Sequence, residues 1–188
     1  MPSPQPQTAS DPSAHEALAH EIAALARGLA EESERGRELA PALVERLRAS
    51  GLMLAGAPRQ AGALELAPGL ALRCAEEIAR GDASAGWCVS ISITSSLLAA
   101  YVSADARDAL FADPRAIAAG VWAPRGAARR VDGGLLVSGR WPYCSGIRHA
   151  GVFFAGCIIE AEGEAEERPS VLALLPGEFE ILDTWHTL

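Results

Sequence analysis

The hydrophobic period of this chain changes once, near Pro114, and that change bounds the fold more tightly than any single motif. Before it, apolar residues recur three and four apart; after it, they come in short runs separated by Gly and Pro. A helical half followed by a sheet half is the α+β pattern. The expectation is an N-terminal α-helical domain over 15–114 and a small antiparallel β domain over 115–188. Residues 1–14, "MPSPQPQTASDPSA", are rich in Pro and Ser, lack an apolar h-region, and read as a disordered lead-in rather than a signal peptide.

Within the first half, Leu18, Ile22, Leu25 and Leu29 predict one amphipathic helix from Glu16 to about Arg35. A second helix carries Leu39, Leu43 and Leu47, accepts Pro41 in its first turn and stops at Gly51. A third runs from Pro68 to about Arg80, with Leu70, Cys74 and Ile78 inward and Gly81 ending it. The stretch "GDASAGWCVSISITSSLLAAYV" begins with the capping candidates Asp82 and Ser84 and is apolar on nearly every face, which predicts a central helix. Ser103 caps a short helix reaching Phe111.

In the second half, "IAAGVW", "ARRV", "LLVSGRW", "GVFFAGCII" and "VLALL" read as strands. "VDGGLLVSG" is a hairpin, because Asp-Gly and Gly-Gly accept the positive φ of a tight turn. The acidic run from Glu160 to Glu167 reads as a solvated hairpin loop.

Composition removes several function classes. The net charge is −8 and the basic residues, all Arg, form no cluster along one face, so a nucleic-acid groove is not expected. The longest apolar run, about Ile91 to Val102, is broken by Ser and Thr and falls short of the ~20 residues of a membrane span. Cys74, Cys88, Cys144 and Cys157 lie far apart without a CxxC pair, which suits reduced thiols in a cytoplasmic protein. His15 and His20, five apart, fall on different parts of a helix surface, and no metal site is expected. No GxGxxG or phosphate-cradling loop is present.

Four tryptophans remain. Trp87 opens the central helix, Trp122 ends the first strand, Trp141 ends the hairpin, and Trp185 lies near the chain end. Core packing accounts for any one of them. Trp122 and Trp141 differ in their neighbours: "WAPRG" and "WPYCSG" put Pro and Gly just beyond a strand end, where backbone groups leave the ladder. Free backbone groups beside an indole suit a planar, hydrogen-bonding ring.

"GDASAGW", "AGVWAPRGAARRVDGGLLVSGRWPYCSG" and "DTWHTL" resemble the acyl-CoA dehydrogenase superfamily, and more closely its flavin-dependent monooxygenase branch, the oxygenase components of two-component hydroxylases. The resemblance covers about Glu16 to Leu188. It implies an α-helical domain packed on a β-barrel-like middle domain, with the family's C-terminal four-helix bundle missing because the chain ends at Leu188. By resemblance, Trp87 faces the flavin or substrate cavity, Trp122 and Ala123 offer main-chain contacts to the isoalloxazine edge, Trp141 packs against the ring, and Tyr143 joins the cofactor-binding set. Ser145 matches a serine near flavin N5 and is the catalytic candidate. Ser95 stands where the hydroxylases often have a histidine, and Ala123 where a hydroxyl-bearing residue is common. His149 and His186 are expected at the surface or behind the site.

The implied activity is oxygenation of a small organic substrate with reduced flavin, FMN or FAD, and O2. The implied partners are a flavin reductase and, at full length, further copies in a dimer or tetramer. Two other readings stand beside it. One is an acyl-CoA dehydrogenase oxidising a thioester between Cα and Cβ, although "WAPRGAAR" and "WPYCSG" replace that branch's usual stretches. The other is an inactive truncated piece that only binds or supports another chain.

Overall fold

A computed structural model describes residues 11–113, 116–160 and 167–184. Trp185, His186 and most of the acidic run lie outside them. The helical half holds α1 (Pro12–Gly28), α2 (Ala30–Gly36), α3 (Pro41–Ser50), α4 (Pro68–Gly81), α5 (Ala83–Ser96) and α6 (Ala104–Leu110). The sheet half holds β1 (Ala118–Val131), β2 (Gly134–Gly139), β3 (Val152–Ile159) and β4 (Arg168–Leu174).

The helices follow their local signals closely. Asp11 accepts the amide of Ser13 to start α1, inside the stretch expected to be a lead-in. The single helix expected from Glu16 to Arg35 is instead α1 and α2, separated at Leu29 (φ −107°) directly after Gly28, the poorest helix former in the run. α3 ends at Gly51, which takes the left-handed conformation (φ 72°). α4 buries Leu70, Cys74 and Ile78 on the expected stripe. Gly81 is the last residue of α4, as expected, and also lets it close against α1: a Cβ there would stand 2.1 Å from the carbonyl oxygen of Ala23. Asp82 then caps α5 by accepting the amide of Ala85 at 2.7 Å.

α5 departs from its expected burial in an informative way. Its buried residues are Ala85, Gly86, Val89, Ser92, Ser95 and Ser96, whereas Trp87 is 59% exposed and Leu97, just beyond it, is also exposed. Small residues face inward because α5 lies close to both α4 and β1. The buried hydroxyls are not orphaned: Ser92 Oγ accepts the amide of Ala118 at 3.0 Å, and Ser96 donates to the carbonyl of Ile93. Ser90 and Thr94 bond back to the previous turn of their own helix.

The sheet is mixed, which corrects the antiparallel expectation. Its strand order is β2-β1-β3-β4, with β1–β2 and β3–β4 antiparallel and β1–β3 parallel. The predicted hairpin is present as β1–β2, turning at Asp132 and Gly133 (φ 83°). The runs "IAAGVW" and "ARRV" belong to one strand, β1, interrupted by a large bulge. Val121 pairs with Ala155 and Gly126 with Cys157, so Trp122, Ala123, Pro124 and Arg125 all face the single residue Gly156.

A parallel pair cannot be closed by a tight turn, so the chain must cross from the end of β2 to the start of β3. Residues 140–151 make that crossover, and Trp141, Tyr143, Ser145 and His149 all lie on it. β3 is buried on both faces. Phe154 stacks with Phe111 on the helical side, and Phe153 meets Trp141 and Phe179 edge-on on the other.

The far end of the crossover is clamped to the helices. His149 Nε2 accepts the amide of Leu39 at 3.2 Å, and Arg48 donates to the carbonyl of His149 at 3.0 Å. Burial holds the His149 imidazole below its ordinary 6.5, with Arg48 and Arg148 pushing the same way and Glu38 opposing.

Two outcomes follow from this packing. A Cβ at Gly86 would stand 2.4 Å from the Cβ of Ala79, so Gly86→Ala separates α4 from α5 and lowers stability by about 1–3 kcal/mol, read from the urea midpoint. His149 is neutral when folded, so the unfolded chain binds the extra proton once pH falls below about 6.5; stability is held above that pH and lost below it, toward the depressed native value. Urea titrations between pH 7.5 and 5.5 should show this loss, and His149→Gln, which keeps an acceptor for Leu39, should flatten it.

Candidate functional site

The site candidates fall into two contacts along α5 and one on the opposite face of the sheet. At the N-terminal end of α5, Trp87 Nε1 donates to Ser145 Oγ at 2.9 Å. The next residue, Cys88, lies against the same turn: a Cβ at Gly146 would stand 3.8 Å from its Sγ. The turn itself is tight. Ser145 donates its amide to the carbonyl of Tyr143 at 2.9 Å, Tyr143 sits at φ 60° and Gly146 at φ 77°. A left-handed tyrosine that is 81% exposed is held there by its surroundings, which is a common property of binding segments.

Eight residues along α5, about 12 Å by helix rise, is the second contact. Ser95 is 2% exposed, and its Oγ would lie 2.8 Å from a Cβ on Gly120; Trp122 Nε1 would lie 2.9 Å from that same point. Ser95 is thus enclosed between helix and strand, while Trp122 keeps 47% of its surface exposed. The absent side chain at Gly120 lets the indole and the serine approach.

Trp141 occupies the other face. Its Nε1 donates to the carbonyl of Gly156 at 2.8 Å, and its ring lies over Gly126 and Gly139, where any Cβ would collide with it. It is half-buried among Phe153, Cys157 and Leu174. Side chains of a strand alternate between faces, so Phe154 and Gly156 point to the helices while Phe153 and Cys157 point to Trp141. Trp122 and Trp141 therefore do not share one wall; they approach Gly156 from opposite sides.

Gly156 is the residue that joins them, and sequence reading did not single it out. A Cβ there would stand 2.3 Å from the carbonyl oxygen of Trp122 and 2.4 Å from that of Ala123. These two carbonyls therefore face β3, and a main-chain contact to a ligand at Trp122 or Ala123 would fall to other groups of that exposed segment. The signal in the sequence was an isolated glycine within the otherwise apolar run "VFFAGCII".

Two thiols flank the Trp87–Ser145 contact. Burial pushes Cys88 up to about 11, with the nearby Asp82 carboxylate adding to it, and pushes Cys144 up to about 12. Both remain protonated at neutral pH and are poor nucleophiles. All four cysteines are free.

One cleft of about 210 Å³ lies behind the crossover between Glu38, Arg48 and His149, and another of about 330 Å³ lies among the charged side chains of α1 and α4. Neither is lined by Trp87, Trp122, Trp141 or Ser145. Trp87, Trp122 and Tyr143 are instead exposed at the surface, while Trp141 is half-buried on the other face of the sheet.

The helical half of the chain matches a known family. The profile of the acyl-CoA dehydrogenase N-terminal domain covers residues 5–112. The chain belongs to that family. It is 31% identical over 157 residues to indole-3-acetate monooxygenase of Pseudomonas putida, covering 84% of this chain and 40% of that protein. The crystal structure of the HsaA monooxygenase from M. tuberculosis matches with a TM-score of 0.84 at 28% identity, over 94% of this chain and 47% of that one. XiaF from Streptomyces sp., solved in complex with FADH2 and glycerol, matches with a TM-score of 0.84 at 27% identity, over 94% of this chain and 45% of that one. The chain thus spans about 40% of the length of the curated relative and under half of each solved one.

Within this family member, Gly156→Ala should displace the bulge, since the added methyl meets two backbone carbonyls that cannot rotate away. We expect a loss of about 1–3 kcal/mol in stability and a changed tryptophan emission spectrum, because Trp122 and Trp141 both depend on Gly156.

Proposed function

We propose that this chain supplies flavin-facing walls of the oxygenase component of a two-component monooxygenase, which uses reduced FMN or FAD and O2 to hydroxylate a small, aromatic substrate. The observation that carries the reading is the Trp87–Ser145 contact: an indole and a hydroxyl, bonded to each other and both reachable from solvent, beside a strained turn. The relatives support it by name, as a flavin-dependent monooxygenase oxygenase subunit and an FADH2 complex.

The residues present fit a flavin. Trp87 on α5 and Trp122 on β1 offer exposed apolar faces suited to a planar ring system. Tyr143 and Ser145 project from the turn beside Trp87, and Trp141 holds the β1–β3 pair from behind. A bound reduced flavin would supply the reaction with oxygen. The chain's own part is to bind and orient the ring, to exclude water with Trp87, Ile91 and Trp122, and to hold a proton near flavin N5 with the Ser145 hydroxyl. None of these tasks needs a strong base.

A partner reductase would supply the reduced flavin, and assembly with further copies as a dimer or tetramer would cover the open apolar face. The four free thiols suit a reducing, cytoplasmic compartment. The acyl-CoA dehydrogenase reading predicts electron transfer from an acyl thioester to a dye; the monooxygenase names of the relatives favour oxygenation instead.

Anaerobic titration of the natural polypeptide carrying this chain with reduced flavin tests the reading. Binding is expected, with oxygen uptake once a flavin reductase is added. Trp122→Ala should weaken binding roughly three- to tenfold while leaving the urea midpoint nearly unchanged, because its ring is half exposed. No binding of either flavin would end the proposal.

A further inference from the structure

We propose that the neutral imidazole of His149 is a latch that holds the crossover, residues 140–151, on the helical half, and that protonating it opens the middle of that segment while the rest of the fold stays closed. Tyr143 and Ser145 ride on this segment, so the latch governs whether they stand beside α5.

The contact dictates the state of the ring. A backbone N–H can only donate, so Nε2 of His149, 3.2 Å from the amide of Leu39, presents a lone pair and the ring carries its one proton on Nδ1. A second proton would set N–H against N–H. The amide of Leu39, a residue only 5% exposed, would then lose its acceptor. No spare acceptor is at hand: Arg48, which donates to the His149 carbonyl, has its Nε buried and already without one.

The charged groups around the ring are Glu38 before α3, Glu45 and Arg48 on α3, and Arg148 on the ring's own turn, itself 3.6 Å from Asp183. Burial disfavours an imidazolium in the latched position, Glu38 opposes this, and Arg48 and Arg148 add to it. An unlatched imidazolium has a destination. Glu38 and Glu45 line the cleft of about 210 Å³ that His149 borders, so a charged ring turned outward meets carboxylates and water.

Opening stays local because the segment is anchored separately at each end. Trp141 Nε1 donates to the carbonyl of Gly156 at 2.8 Å, and the amide of Gly151 donates to the carbonyl of Ile117 at 2.8 Å. Between these anchors the amides of Ser145, Ile147 and His149 bond only within the segment, to Tyr143, Cys144 and Gly146. Hydrogen bonds of the His149 ring with Leu39, of Arg48 with the His149 carbonyl and of Trp87 with Ser145 tie this part to the helices. Of these groups only the imidazole titrates near neutral pH. The sign follows: the opened ring takes its proton near the ordinary 6.5 and the latched ring only below it, so the latch is held above pH 6.5 and weakens as pH falls toward the depressed value.

Hydrogen exchange of the natural polypeptide carrying this chain, read residue by residue with and without low urea, tests the latch. From pH 7.5 to 5.5 the protection factors of the Leu39, Ile147 and His149 amides should fall roughly three- to tenfold, since opening can gain at most about tenfold per pH unit from one proton. The same factors should be flat in urea, because a local opening exposes little new surface. His149→Gln, which keeps an acceptor for Leu39 and does not titrate, should hold them constant over this pH range. Wild-type protection indifferent to pH would overturn the proposal, because the segment would then open without regard to the imidazole. So would protection that falls with urea as steeply as that of the β3 amides, because the segment would then open only with the whole fold.

Discussion

The parallel pairing of β1 with β3 is the constraint on which the remaining arrangement depends. Two neighbouring parallel strands demand a long return path, and in this chain the path is residues 140–151. Had β1, β2 and β3 formed a plain meander, that segment would have been a short turn at the sheet edge. Instead it carries Trp141 across one face, brings Ser145 to the head of α5 and ends at His149 against α3. The pairing also sets a steric condition: the bulge from Trp122 to Arg125 can lie beside β3 only where β3 has no side chain, and that position is Gly156.

Close backbone approach recurs within each half and, at Gly120, between them. Gly81 meets α1, Gly86 meets α4, Gly120 admits Ser95 and Trp122, and Gly126 and Gly139 receive the Trp141 ring. In each case a missing side chain lets a neighbour come near enough for dispersion contacts over many atoms. The consequence for α5 is an inversion of ordinary amphipathicity. Its small residues pack inward, and its large ring at Trp87 is left on the outside, where it meets the crossover rather than the core.

The open face is consistent with a chain that covers less than half of its solved relatives. A flavin held between Trp87 and Trp122 would be walled here on one side only. Enclosure, which any oxygen chemistry needs to keep water out, would have to come from further protein laid over this face.

Local sequence determined the order of helices and strands, the caps at Asp82 and Ser103, the stop at Gly51, and the hairpin at Asp132 and Gly133. These are decided within a few residues by amide satisfaction and allowed φ, so they are legible without a fold. The residue types of the site were legible too, as aromatics and hydroxyls next to Pro and Gly. What sequence did not decide was which of them meet. Trp87 and Ser145 are 58 residues apart, and their hydrogen bond exists only because parallel pairing sends the crossover past α5. The merging of two predicted strands into a bulged β1, the placing of Trp141 on the far face, and the burial of Ser95 follow from that same pairing. Strand partnership is a competition among distant segments for backbone hydrogen bonds and apolar cover, and an alternating pattern fits a parallel or an antiparallel neighbour equally well.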